Sequence, residues 1–306
     1  MNGIEIIEKE EDVLQEKGPE KINPFSSYAV SANSAAASIS VELGIRGMTT
    51  TIATGCSAGL NAIGLAYENI KYGKCKMMLA GGTEASISPL AVASFGATRT
   101  LSERNEEPEK ASRPYEKNRD GFILGEGACI IVLESLASAL DRNANIYSEI
   151  MSYTSTTDAY SAFKVEPSGR QAARAMYQAL NDAKLKPKDI SHINAHGSSS
   201  QVADIRETNA IKMAFDDYAY KIPVGSIKSM IGHPFAAAGS LQLAASVMGM
   251  QDELVSPTIN YDKPDPDCDL DYIPNEARSQ KVRYDMINTL GMGGNNASMV
   301  LGNIAN

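Results

Sequence analysis

Short strand-like runs alternate with helix-like stretches along most of this chain, and this alternation limits its fold more than any other feature. Residues 57–72, 169–183 and 236–249 have helical patterns, whereas residues 128–133 and 190–195 are apolar runs of strand length. Strands that alternate with helices form a sheet covered by layers of helices. The sequence therefore predicts an α/β protein.

The less regular regions allow further predictions. The charged residues 1–20 predict a strand end followed by a surface loop. Residues 48–54 are rich in β-branched side chains and predict a buried strand, and the charged residues 102–119 predict a long surface excursion. A second strand–helix block starts near residue 146, so we divide the chain into residues 1–145 and residues 146–306.

Composition limits the possible functions. The chain has 306 residues, 43% of them hydrophobic, which is enough for a large core. A net charge of -9 argues against nucleic acid as a partner, because phosphates attract a positive surface. No apolar run predicts a transmembrane helix, and the acidic N-terminus lacks the pattern of a signal peptide. Four cysteines without a CxxC pair indicate reduced thiols, so we expect a cytoplasmic protein with no membrane partner.

Cys56 lies between a predicted strand and a predicted helix, in the sequence Thr-Ile-Ala-Thr-Gly-Cys-Ser-Ala-Gly. Such a turn lifts a side chain to a helix N-terminus, where the helix dipole favours a thiolate. This is the setting of a nucleophile elbow. A buried structural cysteine is the alternative. Cys75, Cys129 and Cys268 lack this setting, and we interpret them as structural.

Two of the three histidines follow predicted strands at exits rich in small residues. His196 precedes Gly-Ser-Ser-Ser, and His233 lies just before a predicted helix. Burial disfavours the imidazolium, and a neutral imidazole can donate an N–H to a developing oxyanion. His192 falls within a strand, where a packing or capping role is the simpler interpretation.

Lys228 and Glu207 lie on the segments around these histidines, and a buried ion pair between them could hold both loops in place. Two exposed charges are the alternative. The glycine-rich turn at residues 291–297 lacks the Gly-x-Gly-x-x-Gly spacing and a following helix, so nucleotide binding is a poor interpretation of it.

Taken together, these segments resemble the elongating β-ketoacyl–acyl-carrier-protein synthases, the type II ketosynthases of the thiolase-like superfamily. The likeness extends from about Gly3 to the C-terminus. The segments that carry it are Ala53-Thr-Gly-Cys56-Ser, Ala80-Gly-Gly-Thr-Glu84, Ser112-Arg-Pro-Tyr115, Asp120-Gly-Phe-Ile-Leu-Gly-Glu-Gly127, Asn194-Ala-His196-Gly-Ser-Ser-Ser200, Lys228-Ser-Met-Ile-Gly-His233 and Gly291-Met-Gly-Gly294.

The resemblance implies a thiolase-like fold, in which two related mixed β-sheet halves stack with helices in αβαβα layers. The matching part starts inside the family's N-terminal half, so we expect that half to be incomplete. The first half would carry the cysteine and the second half both histidines. The resemblance also implies an acyl carrier protein as partner, and a homodimer or a heterodimer with a related subunit.

The chemistry implied is a decarboxylative Claisen condensation in fatty acid or polyketide elongation. Cys56 would hold the acyl group as a thioester, while His196 and His233 would assist decarboxylation of a malonyl group. The family's supporting ion pair falls on Lys228 and Glu207.

The remaining assignments concern substrate contacts. The backbone N–H groups of Cys56 and Met292 match the oxyanion hole, and Met292 replaces the usual Phe gate. Ser198 and Ser200 match hydroxyls that hold the phosphopantetheine arm, and Phe95 and Gly293 are further expected substrate contacts. The carrier protein delivers that arm, so the resemblance implies no other cofactor and no metal.

Other readings stay open at this level. A thiolase-like or chalcone-synthase-like condensing enzyme is the nearest alternative within the enzymes. A non-catalytic partner of the chain-length-factor type, or an inactive truncated ketosynthase, is the alternative outside them. Such partners usually lack the nucleophilic cysteine, so Cys56 argues for the enzyme.

Overall fold

Two sheets of unequal size organise the fold, and a short third sheet pairs residues 254–255 with residues 278–279. The computed structural model describes residues 3–304. The helices are α1 (Ile4–Lys17), α2 (Ser26–Ala29), α3 (Ser34–Leu43), α4 (Ala58–Lys71), α5 (Pro89–Ala97), α6 (Leu136–Asp141), α7 (Arg170–Asp182), α8 (Gln201–Phe215), α9 (Lys228–Ile231) and α10 (Ala238–Asp252). The strands are β1 (Met77–Glu84), β2 (Gly127–Glu134), β3 (Glu149–Thr157), β4 (His192–Asn194), β5 (Val224–Gly225), β6 (Leu254–Val255), β7 (Arg278–Ser279), β8 (Tyr284–Leu290) and β9 (Asn295–Gly302).

The larger sheet has five strands in the order β3-β9-β8-β4-β5. β4 runs parallel to β8 and β5, whereas β9 runs antiparallel to β8 and β3, so the sheet is mixed. Consecutive residues of β8 point to opposite faces: Met286 joins a core cluster with α7 and α8, and Ile287 joins one with α4 and α10. Helices therefore cover both faces, which explains why β8 and β9 are buried along nearly their whole length.

α7 shows how the sequence pattern produces one of these layers. Its buried residues include Ala172, Met176, Ala179 and Leu180, which recur at helical spacing on one face. The hydroxyl of Ser152 on β3 donates a hydrogen bond of 2.7 Å to the carbonyl of Ala179. The small residues on this face let the helix approach the strand closely.

The smaller sheet consists of β1 and β2 in antiparallel pairing. Its inner face packs on α4 and α10, and Leu133 joins their core cluster. On its outer face, Ile130 and Val132 stay 45% and 57% exposed, so no helix within residues 3–304 covers them. A Cβ on Gly82 would lie 2.2 Å from the carbonyl oxygen of Ala236, and so β1 requires glycine where it meets the loop that follows His233.

Three sequence-based predictions were wrong in this part of the molecule. Residues 4–17 form the helix α1, which an ion pair between Glu5 and Lys9 one turn apart supports. Residues 48–54 form no strand and have no strand partner within residues 3–304, and Met48 is 57% exposed. A β-branched run becomes a strand only when a neighbouring strand pairs with it.

Residues 102–119 are also not a surface excursion throughout, because residues 111–116 are buried. The ring of Tyr115 stacks on Tyr272 with 3.9 Å between ring centroids. The guanidinium of Arg119 binds Asp265 at 2.6 Å and lies 3.5 Å from Asp204. Ion pairs with the second half of the chain thus allow a charged segment to be buried. Within residues 3–304, no helix combines the length and hydrophobicity that crossing a membrane requires.

Candidate active site

Cys56 lies at the start of α4, on a short 3-10 turn formed by residues 55–57. Gly55 provides the turn with a φ of 60°, a left-handed conformation that favours glycine. The amide of Asn61, one turn into α4, donates a hydrogen bond of 2.7 Å to the hydroxyl of Thr54. The cysteine side chain is held inside the molecule and is only 3% exposed.

His233 lies directly against Cys56, with 3.2 Å between its Nε2 atom and the cysteine Sγ. The loop that carries it is fixed from both sides: its N–H donates to the carbonyl of Ile123, and its carbonyl accepts from the N–H of Gly125. The backbone of the motif at residues 120–127 therefore fixes the position of His233 relative to the cysteine.

His196 follows the end of β4, and its ring lies 5.1 Å from the ring of His233 in a T-shaped arrangement. Its N–H donates to Oε1 of Glu207 at 2.7 Å, and the N–H of Gly197 donates to Oε2 at 2.8 Å. The carboxylate at the side of α8 thus fixes the backbone that carries His196. The structure brings Cys56, His196 and His233 together, as the sequence predicted.

Burial keeps all three of these groups neutral near pH 7. It raises the pKa of the Cys56 thiol to about 11, although the backbone at Met292 and the charge of Lys228 act in the opposite direction. Burial, and then Lys228, lower the pKa of His196 and of His233 well below the usual value. The backbone N–H groups around Cys56 favour the thiolate, as expected, but burial raises the pKa by more. The thiol needs a base when it reacts, and His233 Nε2 is in contact with it.

Lys228 and Glu207 are both buried, as predicted, and each charge favours the ionised form of the other, but the two side chains are not in direct contact. Both are described residues, and they form no salt bridge within 4.0 Å. Lys228 Nζ instead donates to the carbonyl of His196 at 2.6 Å and to Oε1 of Gln242 at 3.1 Å. The carboxylate oxygens of Glu207 accept hydrogen bonds from the backbone N–H groups of His196 and Gly197 and from the hydroxyl of Tyr115. Both still bind the His196 segment, from opposite sides.

The turn after β8 brings Met292 next to the cysteine. The backbone atoms of Met292 lie near Gly55, and a Cβ on Gly291 would lie 3.4 Å from the N atom of Cys56. Gly293 and Gly294 have φ values of 78° and 80°. The side chain of Met292 is 53% exposed. The Met292 backbone therefore faces the thiol while its side chain points toward solvent, an arrangement compatible with an oxyanion hole and a gate.

Ser198 and Ser200 both have partners inside the protein. Ser198 is buried, and its hydroxyl donates a long hydrogen bond of 3.5 Å to Asp204. The hydroxyl of Ser200 accepts from the N–H of Ala203 and caps α8. Their assignment to the phosphopantetheine arm stays a prediction.

An aromatic cluster lies beside the cysteine. Phe95 stacks on Phe235 with centroids 5.2 Å apart, and Phe122 meets both rings edge-on. Cys56 belongs to the same buried cluster. Phe95 was expected to contact substrate, which stays a prediction, whereas Phe122 and Phe235 were missed. Phe122 lies in the motif at residues 120–127, and Phe235 lies two residues after His233. This closeness in sequence to the predicted site was the signal that could have identified them.

Comparison with known proteins gives consistent matches. The beta-ketoacyl synthase N-terminal domain model matches residues 1–139, and the C-terminal domain model matches residues 147–262. The 3-oxoacyl-[acyl-carrier-protein] synthase 2 of Synechocystis sp. is 44% identical over 299 residues, which cover 98% of this chain and 72% of the relative. The protein of the same name from Coxiella burnetii is 44% identical over 304 residues, with 99% and 73% covered.

Solved structures show the same fold. A type II polyketide synthase ketosynthase bound to the hexaketide and in complex with its acyl-carrier protein matches with a TM-score of 0.94 and 38% identity, covering 98% of this chain and 76% of that one. A beta-ketoacyl synthase from Burkholderia phymatum matches with a TM-score of 0.92 and 34% identity, covering 99% and 73%. These matches confirm the thiolase-like α/β fold.

Proposed function

The chain belongs to the β-ketoacyl synthase family, and we propose that Cys56, His196 and His233 carry out a decarboxylative Claisen condensation in it. As an acyltransferase of this family, the chain is a 3-oxoacyl-acyl-carrier-protein synthase of fatty acid or polyketide elongation. The observation that carries the residue assignment is the 3.2 Å contact between Cys56 Sγ and His233 Nε2.

The first half-reaction transfers an acyl group to the cysteine. Because the resting thiol is neutral, Cys56 gives its proton to His233 Nε2 as Sγ attacks the carbonyl carbon of an acyl thioester. The backbone N–H groups of Cys56 and Met292 stabilise the oxyanion. The C–S bond to the phosphopantetheine arm then breaks, and the departing thiolate takes the proton.

The second half-reaction forms the carbon–carbon bond. The malonyl thioester loses CO2, and the electron pair of the broken C–C bond becomes an enolate. The N–H groups of His196 and His233 stabilise its oxygen, which their low pKa values permit because neutral rings still donate. The enolate carbon attacks the acyl carbonyl, and the bond to Cys56 Sγ breaks. The released thiolate takes up a proton from water, which restores the neutral thiol.

His233 can accept a proton in the first half-reaction and donate an N–H in the second, because the tautomer of its ring is not fixed. Among the described residues, neither Nδ1 of His196 nor Nδ1 of His233 has a hydrogen-bond partner. Lys228 supports both rings, since its charge helps to keep them neutral. Glu207 holds the backbone at His196 without entering the chemistry.

An acyl carrier protein is the proposed partner, supported by the structural relative that was solved with its own carrier protein. Delivery of the phosphopantetheine arm by that carrier, the absence of a resident cofactor or metal, a dimeric state and a cytoplasmic location all stay predictions. The chain-length-factor alternative is disfavoured because a protein that only shapes a pocket needs neither a buried thiol nor a base in contact with it.

The test is intact-mass spectrometry after incubation of the protein with an acyl-carrier-protein thioester. We expect the mass of one acyl group on the natural chain and none on Cys56→Ala, because the thiol of Cys56 has a base, His233 Nε2, in contact with it. Cys268→Ala, a second buried cysteine removed, serves as the matched control and should still be acylated. Adduct on Cys56→Ala would contradict the assignment.

A further inference from the structure

Gln242 is fully buried on α10, and its amide nitrogen is surrounded by acceptors. Nε2 lies 3.1 Å from the carbonyl of Asn194, 2.9 Å from that of Ala195 and 3.1 Å from that of Asn288, with the Asn194 side-chain oxygen at 3.4 Å. Only a donor is favourable among four oxygens, so the orientation of this amide is fixed. Its Oε1 atom is thereby directed at Lys228 Nζ, 3.1 Å away.

These contacts join the elements that carry the active site. Asn194 and Ala195 lead directly into His196. Asn288 lies two residues before the end of β8 at Leu290, and the turn that carries Met292 follows. α10 itself follows the loop of His233. The Gln242 side chain therefore contacts the segment that leads into His196 and the strand that leads to the Met292 turn. It also contacts Lys228, which begins the segment that carries His233.

The charges of Glu207, Cys56 and Asp204 act on Lys228 and raise its pKa, but its direct side-chain hydrogen bond goes to the Gln242 amide. Among the described residues, no carboxylate oxygen forms a salt bridge with its Nζ atom within 4.0 Å. Its side-chain hydrogen bonds go to the His196 carbonyl and to Gln242 Oε1. Gln242 supplies the side-chain partner, and that partner is neutral.

We propose that Gln242 is a positioning residue, which fixes the ammonium of Lys228 against the His196 carbonyl and holds it there with an uncharged acceptor. The proposal rests on the proposed function of Lys228 in supporting the two histidines. A neutral acceptor holds the ammonium without adding charge. Burial lowers the pKa of Lys228 to about 8, and a carboxylate at this position would raise it, since an opposite charge favours the charged form.

The test compares Gln242→Glu with Gln242→Met in the full chain. We expect loss of the Lys228 proton to weaken its hydrogen bond to the His196 carbonyl and so to slow condensation at high pH, which gives the rate an alkaline limb. Gln242→Met removes the acceptor, so this limb should move to lower pH, and kcat should fall about 10- to 100-fold with little change in KM. Gln242→Glu places a carboxylate beside the ammonium, so the alkaline limb should move to higher pH by about one unit or more.

Leu243→Ala is the control for general loosening, because Leu243 is buried on the same helix and packs in a core cluster away from Lys228. It should lower thermal stability and leave the alkaline limb in place. If both Gln242 variants behave like Leu243→Ala, or if their limbs move in the same direction, the proposal is overturned.

A second readout separates this proposal from the proposed function. Nitrogen-15 NMR of the Lys228 ammonium, assigned with Lys228→Met, follows its titration without any turnover. Opposite shifts of that titration in the two Gln242 variants support the positioning role even in a chain that does not condense. Identical titration in the natural chain and both variants excludes it.

Discussion

The sheet β1–β2 and the five-stranded sheet differ in how they are covered, yet both lie beside the active site. Cys56 immediately precedes α4, which packs on β1–β2, and His196 follows β4 of the larger sheet. The five-stranded sheet is buried by helices on both faces and carries His196 through β4. The smaller sheet is covered on its inner face, and Ile130 on its outer face is about half exposed. Cys56 belongs to the less covered region but is itself fully enclosed.

The second half of the chain explains why the cysteine is nevertheless buried. A Cβ on Gly59 would lie 2.5 Å from the carbonyl of Ala236, so α4 and the start of α10 are almost in backbone contact. The hydroxyl of Ser57 donates to the carbonyl of Asn295 at 3.0 Å, and Tyr153 donates to Asn61. The nucleophile is held by the half that carries the histidines, and its order does not depend on the exposed sheet face.

The largest expected effect is a difference in the acylation rate of Cys56 between variants of the two histidines. His233 touches the thiol and His196 does not, so His233→Ala should slow acylation of Cys56 by about 100- to 10,000-fold, the usual contribution of a general base. His196→Ala should leave acylation within a few-fold and slow only the condensation. Single-turnover kinetics of each half-reaction measures both. Equal losses of acylation in the two variants would contradict the division of roles.

Sequence reasoning reached the site more reliably than the fold around it. Cys56, His196 and His233 lie in short local motifs that are visible in the chain, although the strand predicted before Cys56 does not form. The segment at residues 48–54 failed because strand formation depends on a partner strand, which local pattern cannot reveal. Gln242 was not predicted as the side-chain hydrogen-bond partner of Lys228 for a similar reason, since this contact depends on the packing of α10.

A second prediction compares apolar residues of the two sheets. Ile193 on β4 is fully buried, so Ile193→Ala should lower the free energy of unfolding by about 2–5 kcal/mol through lost contacts and a cavity. Ile130→Ala on β2 should cost less than about 1 kcal/mol, because the side chain is already half exposed. Chemical denaturation of both variants measures the difference. A cost for Ile130→Ala as large as for Ile193→Ala would show that a partner or second copy covers this face in solution.

The pH dependence of stability, which is small for each ring and each pH unit, belongs to the second half of the chain. The folded pKa values of His196 and His233 lie well below the unfolded value, so between these values only the unfolded chain binds the protons. Stability from the neutral rings is therefore present above about pH 6.5 and is lost as the pH falls, by up to about 1.4 kcal/mol per pH unit for each ring. Replacing both histidines with Asn should flatten this decline, as measured by denaturation at pH 7, 6 and 5.

Asp204 provides a control, because its effect on the pH dependence of stability has the opposite sign to that of the histidines. Burial raises its pKa to about 6, so between pH 6 and 4 the folded state holds a proton that the unfolded chain releases. Its contribution to stability is lost as the pH rises through 6, which partly offsets the histidines at acidic pH. Asp204→Asn should therefore make the acid decline steeper, whereas the histidine variants make it shallower. If all these variants changed the pH dependence of stability in the same direction, burial of titratable groups around His196 would not be the origin of that pH dependence.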